Sequence, residues 1–494
     1  MADASRNPGS GRFDLQAAAR QAMLDSGFLP DLPAEAVREL ATLHGPQPIP
    51  ASARDLRDLP WTSIDNDDSR DLDQLEASER VADGGIRVRV AVADVDSLVP
   101  KGSALDRFAG ANTTSVYTGV TIFPMLPERL STDLTSLNQD ADRVAMIVEF
   151  TVAPDGSVTD PAVSWGLVRN HAQLAYDGVG HWLEGESPAP GRLATSEQLA
   201  EQVRMQDEAA GRLRLVRYRN GALELETIEA RPVVRDGVVV DLDLTHKTRA
   251  RELIEDFMIA ANTCIAGFLE RQNVPSLRRV VRVPKRWDRI VELAAGLGEH
   301  LPATPDARAL AEFLSRRRAK DPLRFPDLSL SVVKLLGPGE YVVDRPGETP
   351  PGHFGLAVQD YTHSTAPNRR YADLITQRLV KAQLQGRPSP YSAEELDAIA
   401  ARCTQKENDA EKAERLIRKK AAATLLASHI GETYDAIVTG DTSHGVYVRL
   451  LHPPVEGRVV RGEESLDVGD RTTVKLLDTD PARGFIDLAR VGGR

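Results

Sequence analysis

The chain has 494 residues, with 61 basic against 73 acidic side chains and a net charge of −12. That balance excludes a protein that coats nucleic acid over its whole surface, though not one that grips it in a local basic channel. No apolar run is long enough to span a bilayer, no signal-peptide core follows Met1, and Cys264 and Cys403 form no zinc-spaced cluster, so a reduced, cytoplasmic, zinc-free protein without a membrane partner is expected.

A length of this order suggests about three domains at ~150 residues each. Residues 1–50 are expected to be a short helical N-terminal segment and linker. Helical spacing from Leu15 to Leu24 stops at Gly27, and Pro33 opens a second helix reaching about Leu43. Pro46, Pro48 and Pro50 then make the linker. Both helices are expected to pack against the next domain.

The stretch Ser63-Ile64-Asp65-Asn66-Asp67-Asp68-Ser69-Arg70-Asp71-Leu72-Asp73-Gln74-Leu75-Glu76 places five aspartates and one glutamate in fourteen positions. Carboxylates this crowded raise one another's pKa unless a cation sits among them. Hard divalent ions with oxygen ligands are the natural partners, and a solvated acidic loop is the bland alternative. Asp65, Asp67, Ser69, Asp71, Asp73 and Glu76 also match the ligand spacing of an EF-hand calcium loop. The context rejects that match. Arg70 stands where the loop needs glycine, and Ile86–Val92 alternates like a strand rather than a helix.

From 51 to 385 the pattern predicts one large α/β domain. Thr114-Ser115-Val116-Tyr117 leads to Phe123-Pro124-Met125-Leu126-Pro127 and then to Leu130-Ser131, ending at Ser136-Leu137-Asn138. Gln173-Leu174-Ala175-Tyr176-Asp177-Gly178-Val179 follows. A strongly amphipathic helix is predicted from His246 to Glu270, with Leu253, Ile254, Phe257, Ala261 and Ile265 on one stripe. It carries Ile254-Glu255-Asp256-Phe257-Met258-Ile259-Ala260-Ala261-Asn262. Between Arg278 and Arg324 the chain has 12 basic and 6 acidic residues, a strong segregation of charge. His353-Phe354-Gly355-Leu356 precedes Tyr361-Thr362-His363-Ser364-Thr365-Ala366-Pro367-Asn368-Arg369-Arg370-Tyr371-Ala372-Asp373-Leu374. Pro367 suits a helix opening, and a helix N-terminus beside two arginines is a ready phosphate site. His363 next to Ser364 suggests a hydrolase nucleophile, but no third group in the pattern orients a triad.

Ser392-Ala393-Glu394-Glu395 is a capping box for a long helix within 386–430, which carries Arg415, Arg418, Lys419 and Lys420 near its end. Short strands then fill 431–494, with Tyr447, His444 and Phe485 available for stacking.

Taken together, these segments resemble the ribonuclease II / ribonuclease R (RNB) family of exoribonucleases, without its N-terminal cold-shock domains. The resemblance implies an α+β fold: a large mixed α/β RNB catalytic domain over 51–385, then a small C-terminal OB-fold β-barrel, preceded by the short helical segment. It implies a metal-dependent 3′→5′ exoribonuclease that hydrolyses single-stranded RNA to nucleoside 5′-monophosphates, with Mg²⁺ or Mn²⁺ as cofactor. Asp65, Asp71 and Asp73 match the first three metal-binding aspartates of the family, and Gln74 stands where the fourth is expected. That departure weakens the metal site or relocates the charge to Asp67 or Asp68, and it keeps open a catalytically weak RNA-binding protein. Asp73, Asp71 and Arg369 are the implied catalytic residues. Tyr117, Tyr176, Glu255, Arg370 and Tyr447 are the implied RNA contacts, and Asn368, where the family often has isoleucine, is expected to affect packing only.

Overall fold

The computed structural model describes residues 13–492, except 48, 51–52, 227–229, 236–237, 245–246, 350, 443–444, 465 and 467. The N-terminal segment forms two helices, α1 (Leu15–Asp25) and α2 (Ala34–Thr42). Asp14 caps α1 by accepting the Ala17 N–H, and Pro33 precedes α2.

The main sheet comes next. Its first strands are β1 (Arg54–Asp55), β2 (Thr62–Asp65), β3 (Gln74–Arg80) and β4 (Ile86–Ala93). Helix α3 (Ala104–Asn112) and a small hairpin, β5 (Val116–Tyr117) and β6 (Ile122–Phe123), interrupt it. It resumes as β7 (Asp142–Val152), β8 (Val158–Arg169) and β9 (Ala172–Ala175), followed by helices α4 (Tyr176–Leu183) and α5 (Glu197–Arg219). The seven strands lie in the order β1-β8-β7-β4-β3-β2-β9. They are antiparallel except at the two edges, where β1–β8 and β2–β9 run parallel. Val88, Val90, Ala91, Val92 and Ala93 of β4 are all fully buried. Both faces of the central strand are therefore covered, which is why it reads as a continuous apolar run.

A second hairpin, β10 (Ala230–Arg235) and β11 (Val238–Leu244), leads to helix α6 (Arg249–Arg271). Thr248 caps α6, and the stripe of Leu253, Ile254, Phe257, Ala261 and Ile265 is buried against the sheet. The strand pair β12 (Ser276–Val280) and β13 (Glu340–Asp344) brackets three helices, α7 (Trp287–Gly296), α8 (Ala307–Lys320) and α9 (Phe325–Leu336). These three enclose a core of their own around Trp287, Ile290, Phe313 and Phe325. Helix α10 (Tyr371–Leu384) and the 34-residue α11 (Ala393–Leu426) follow. Ser392 and Glu395 form the reciprocal capping box that their spacing predicts. Five strands then close a barrel in the order β14-β15-β16-β18-β17: β14 (Thr433–Thr442), β15 (Gly445–Leu450), β16 (Glu456–Arg461), β17 (Arg471–Asp480) and β18 (Phe485–Arg490).

The N-terminal helices do pack on the rest. Ala19 and Ala22 of α1 meet Ala413 and Ile417 of α11. Among the described residues no helix is long and apolar enough to cross a membrane.

Candidate active site

Strand alternation decides which way the acidic segment points. Successive side chains on a strand face opposite sides, so Gln74, Glu76, Ser78 and Arg80 share one side of β3. Arg80 pairs with Glu208 of α5 at 2.6 Å, which identifies that side as the one facing α5. Asp73 faces the other way. One of its oxygens accepts the Asn368 N–H at 3.0 Å, and Arg369 Nε lies 3.3 Å from the other. A contact across 295 residues thus joins the two motifs.

The loop from Asp65 to Asp73 is held from several directions. Asp65 accepts the Asn66 N–H at 2.8 Å and the Ser69 hydroxyl at 2.9 Å. Ser136 accepts the Leu72 N–H at 3.0 Å and donates to the Arg70 carbonyl at 2.8 Å. The Ser136-Leu137-Asn138 motif therefore fixes the loop carrying the aspartates. Asp67 and Asp68 are exposed on its outer rim, so neither has turned inward to replace a carboxylate at position 74.

Asp73 is 1% exposed, and its Oδ2 is buried with no hydrogen-bond partner. Burial pushes its pKa up to about 7, against the pull of Arg369. Asp71 is raised as well, again mainly by burial. Arg369 is held above its ordinary value: burial opposes its charge, but Asp73 and its neighbours outweigh that. In a simple ion pair both partners would shift toward the charged form. Here burial wins at Asp73 because its carboxyl is wholly enclosed, whereas the Arg369 side chain is 44% exposed. Tyr117 is 41% exposed, yet desolvation pushes its phenol up to about 12. Tyr117 and Arg369 lie together beside the Asp71 and Asp73 carboxyls.

The backbone explains why these two meet. The Ser115 N–H donates to the Arg369 carbonyl at 2.9 Å, Thr114 bridges to Arg370, and Glu414 accepts the Tyr117 N–H at 2.7 Å. Tyr176 is brought in by a different element. It is the first residue of α4, one position after Ala175, which pairs with Asp65 in the parallel β2–β9 ladder. Arg251 of α6 stacks on its ring at 4.4 Å and donates to Asn66 at 3.0 Å. Asp65, Asp71, Asp73, Arg369, Tyr117 and Tyr176 are therefore gathered by the fold.

Other candidates lie elsewhere or are engaged. Arg370 forms a two-point bond to Asp373 at 2.8 and 2.9 Å, and Asp373 also accepts the Ala366 N–H at 2.8 Å. The expected phosphate site at a helix N-terminus is thus corrected: the helix starts at Tyr371 rather than at Pro367, and Asp373 already supplies its anion. Glu255 is half exposed and pairs with Lys247 at 3.2 Å. Asp256 is buried between Arg214, at 2.9 Å, and Arg217, so it holds α5 to α6. Tyr447 lies in the barrel on β15, half-buried; His444 is outside the described residues. His363 meets the Tyr341 hydroxyl at 2.8 Å, while Ser364 donates to Asn262 at 2.8 Å. The two do not form a nucleophile and base.

Two features escape a reading by pattern. Asn368 does more than fill space: besides its N–H bond to Asp73, its side chain accepts the Thr135 hydroxyl at 2.6 Å, and its Nδ2 is buried without a partner. Glu76 is fully buried with both carboxyl oxygens unpartnered, and the hydroxyl of Thr62, its partner across the β2–β3 ladder, is unpartnered too. Burial, with Asp65 adding, drives the Glu76 pKa well above its ordinary value.

Among the described residues, no three carboxylate, imidazole or thiol groups gather tightly enough to cage a metal by themselves. Magnesium does not require such a cage. It is commonly held by one or two carboxylates, water and substrate phosphate. Asp71 and Asp73, both strained by burial and one with an orphaned oxygen, fit that donor set.

The RNB domain model matches residues 53–386, and the model for the RNase II-type exonuclease C-terminal S1 domain matches 432–491. The chain is 32% identical over 433 residues to ribonuclease R of Escherichia coli, covering 84% of this chain and 52% of that protein. It is 31% identical over 503 residues to ribonuclease R of Thermotoga maritima, covering 93% and 68%. It thus spans about half the length of the former and about two thirds of the latter. The fold superposes with a TM-score of 0.87 on Mycoplasma genitalium RNase R in complex with ribose-methylated single-stranded RNA, at 23% identity over 97% of this chain and 78% of that one.

Proposed function

Because the chain belongs to the RNB family, its RNB domain covering residues 53–386, we propose that it is a metal-dependent 3′→5′ exoribonuclease releasing nucleoside 5′-monophosphates from single-stranded RNA. The observation that carries this reading is the enclosed Asp73 carboxyl, with one oxygen lacking a hydrogen bond, beside a half-exposed Arg369.

Each residue has a defined task in this reading. Asp73 is aimed by the Asn368 N–H, and Asp71 adds a second raised carboxyl close by. These two would hold the magnesium ion, with Asp65 as a further oxygen donor, and the expected fourth donor Gln74 is set aside because it lies on the opposite side of β3; the bound metal would supply an activated water and neutralise the leaving 3′ oxygen. Arg369, half exposed beside Asp73, would donate to a non-bridging phosphate oxygen and stabilise charge that grows in the transition state. Tyr117 and Tyr176, carried by different elements near Arg369, would flank the terminal nucleotides, where base stacking tolerates any sequence.

Incubating the protein with end-labelled RNA and DNA in Mg²⁺, in Mn²⁺ and in EDTA tests the proposal. Stepwise shortening of RNA alone, stopped by EDTA, is expected; an intact RNA in all three conditions refutes it. Gln74 favours one second reading, an RNA-binding protein with weak catalysis. That reading predicts tight RNA binding without shortening.

A further inference from the structure

Glu76 is fully buried and takes no part in the chemistry at Asp73. Its side chain lies on the side of β3 that faces α5. Two contacts align that helix with the strand: Arg80 pairs with Glu208 at 2.6 Å, and Arg212 donates to the Gly84 carbonyl at 3.0 Å. Helix and strand therefore run in the same direction, and a step back along each sets Gln206 and Gln202 beside Ser78 and Glu76. The two glutamines are one turn apart on the buried face of α5. On the other flank Thr62 of β2 stands directly opposite Glu76, an arrangement in which Cβ atoms are about 4.5–5.5 Å apart.

None of these five side chains is more than 7% exposed. Five of their oxygen atoms have no hydrogen-bond partner: both of Glu76, the hydroxyls of Thr62 and Ser78, and Oε1 of Gln206. The unpartnered nitrogens beside them are two, the amide groups of Gln202 and Gln206. Neither nitrogen is cationic, and the charged neighbour that Glu76 does feel, Asp65, is itself an acid. A carboxylate enclosed with neither a counter-ion nor a hydrogen bond is strongly disfavoured. A surplus of oxygen acceptors around one negative charge is what a cation satisfies. A divalent ion would leave a net positive charge in a low-dielectric interior, whereas a monovalent one brings the pocket to neutrality. Neutral oxygens can replace the water shell of such an ion, as backbone carbonyls do in potassium filters.

We propose that Glu76, Thr62 and Gln206 form a binding site for a monovalent alkali cation, with Ser78 at its edge and the two amide nitrogens left to hydrogen-bond an accompanying water. The position of the site gives it a consequence for the fold. Among the described residues Thr62–Glu76 is the one ladder pair that joins β2 to β3. Strand β2 ends at Asp65, and β3 begins just after Asp73. The ion therefore ties together the two strands that deliver these aspartates, from the side of β3 opposite to Asp73. The inference rests neither on RNA as substrate nor on hydrolysis.

The test is thermal unfolding in EDTA at about pH 8, where the unprotonated carboxylate is the form that binds. Potassium chloride and sodium chloride are compared with choline chloride at equal ionic strength, for the parent, Glu76→Gln and Thr62→Val. Choline is too large to enter the pocket. An ion at about 200 mM with a dissociation constant of about 10 mM shifts the folding equilibrium about 20-fold toward the native state. The parent is expected to melt ~2 °C or more higher in an alkali chloride than in choline chloride, and the gain to grow with the logarithm of the salt concentration. Both variants are expected to lose that gain. Thallium(I), which stands in for potassium, is expected to give an anomalous-scattering peak between Glu76 and Thr62 in crystals of the parent. Circular dichroism before heating checks that the variants fold; where Glu76→Gln does not, Thr62→Val and the thallium peak decide. Equal midpoints of the parent in the three salts overturn the proposal and assign a proton to Glu76 instead. A gain that both variants keep also overturns it, because the alkali ion then acts elsewhere on the protein. So does a parent crystal without the thallium peak.

Discussion

Replacing Asp73 by asparagine should make the metal-free protein more stable and less active at once. The Asp73 carboxyl is fully enclosed, and its pKa rises from 3.8 to about 7. Its folded form therefore holds a proton more tightly than its unfolded form. The associated stability is fully present below about pH 4 and is lost as pH rises through about 7. A shift of about 3 units corresponds to ~4 kcal/mol, of which roughly 3 kcal/mol falls between pH 5 and 8.5. Asparagine keeps an oxygen for the Asn368 N–H, so that bond survives. The variant forfeits only the attraction of Arg369, whose side chain is 44% exposed and whose pairing is worth at most about 1 kcal/mol. Urea unfolding in EDTA at pH 5 and pH 8.5 measures the effect. The parent should lose stability over that interval, the variant should lose roughly 3 kcal/mol less, and magnesium should restore the parent at pH 8.5. RNA hydrolysis by the variant should fall at least ~10²-fold, with RNA affinity equal or higher because a repelling charge is gone. Parallel pH dependence in the two proteins would refute the burial argument, and retained hydrolysis would refute the role of Asp73.

Glu76→Gln removes a second unpartnered buried carboxyl, whose raised pKa costs stability as pH climbs above its unfolded value of 4.5; a thermal midpoint that falls less between pH 5 and 8 than the parent's is expected, and an identical fall counts against it. Arg369→Lys keeps the charge but not the planar fork, so kcat should drop about tenfold or more with KM little changed, read from steady-state kinetics on a short RNA. Tyr176→Ala removes the ring under Arg251 and a stacking surface worth roughly 1–3 kcal/mol per base; the length of the terminal product on a denaturing gel should change, and an unaltered product would mark the ring as packing only.

The local sequence was enough for some of this architecture. Alternation in Ile86–Val92 and the apolar stripe from Leu253 to Ile265 depend only on neighbours a few residues apart, and both became the elements expected. The capping box at Ser392 and Glu395 is local for the same reason. The spacing of Asp65, Asp71 and Asp73, together with the order of the motifs after them, was legible and pointed to the family and to the candidate site. What pattern could not supply was the outcome of competition between distant groups. Asp373, not a phosphate, occupies the start of α10, because it lies three residues from Arg370 and within reach of the Ala366 amide. The basic run 278–324 stood out as segregated charge, but carboxylates from Glu224 to Glu407 claim half of it. The sequence could not reveal the Asn368 amide on Asp73 either, since nothing in a peptide ties positions 295 apart. Only the packed sheet decided that Gln74 and Glu76 face α5 while Asp73 faces Asn368 and Arg369. A one-residue step along a strand reverses the side, and which side is buried under which helix is fixed by tertiary contacts.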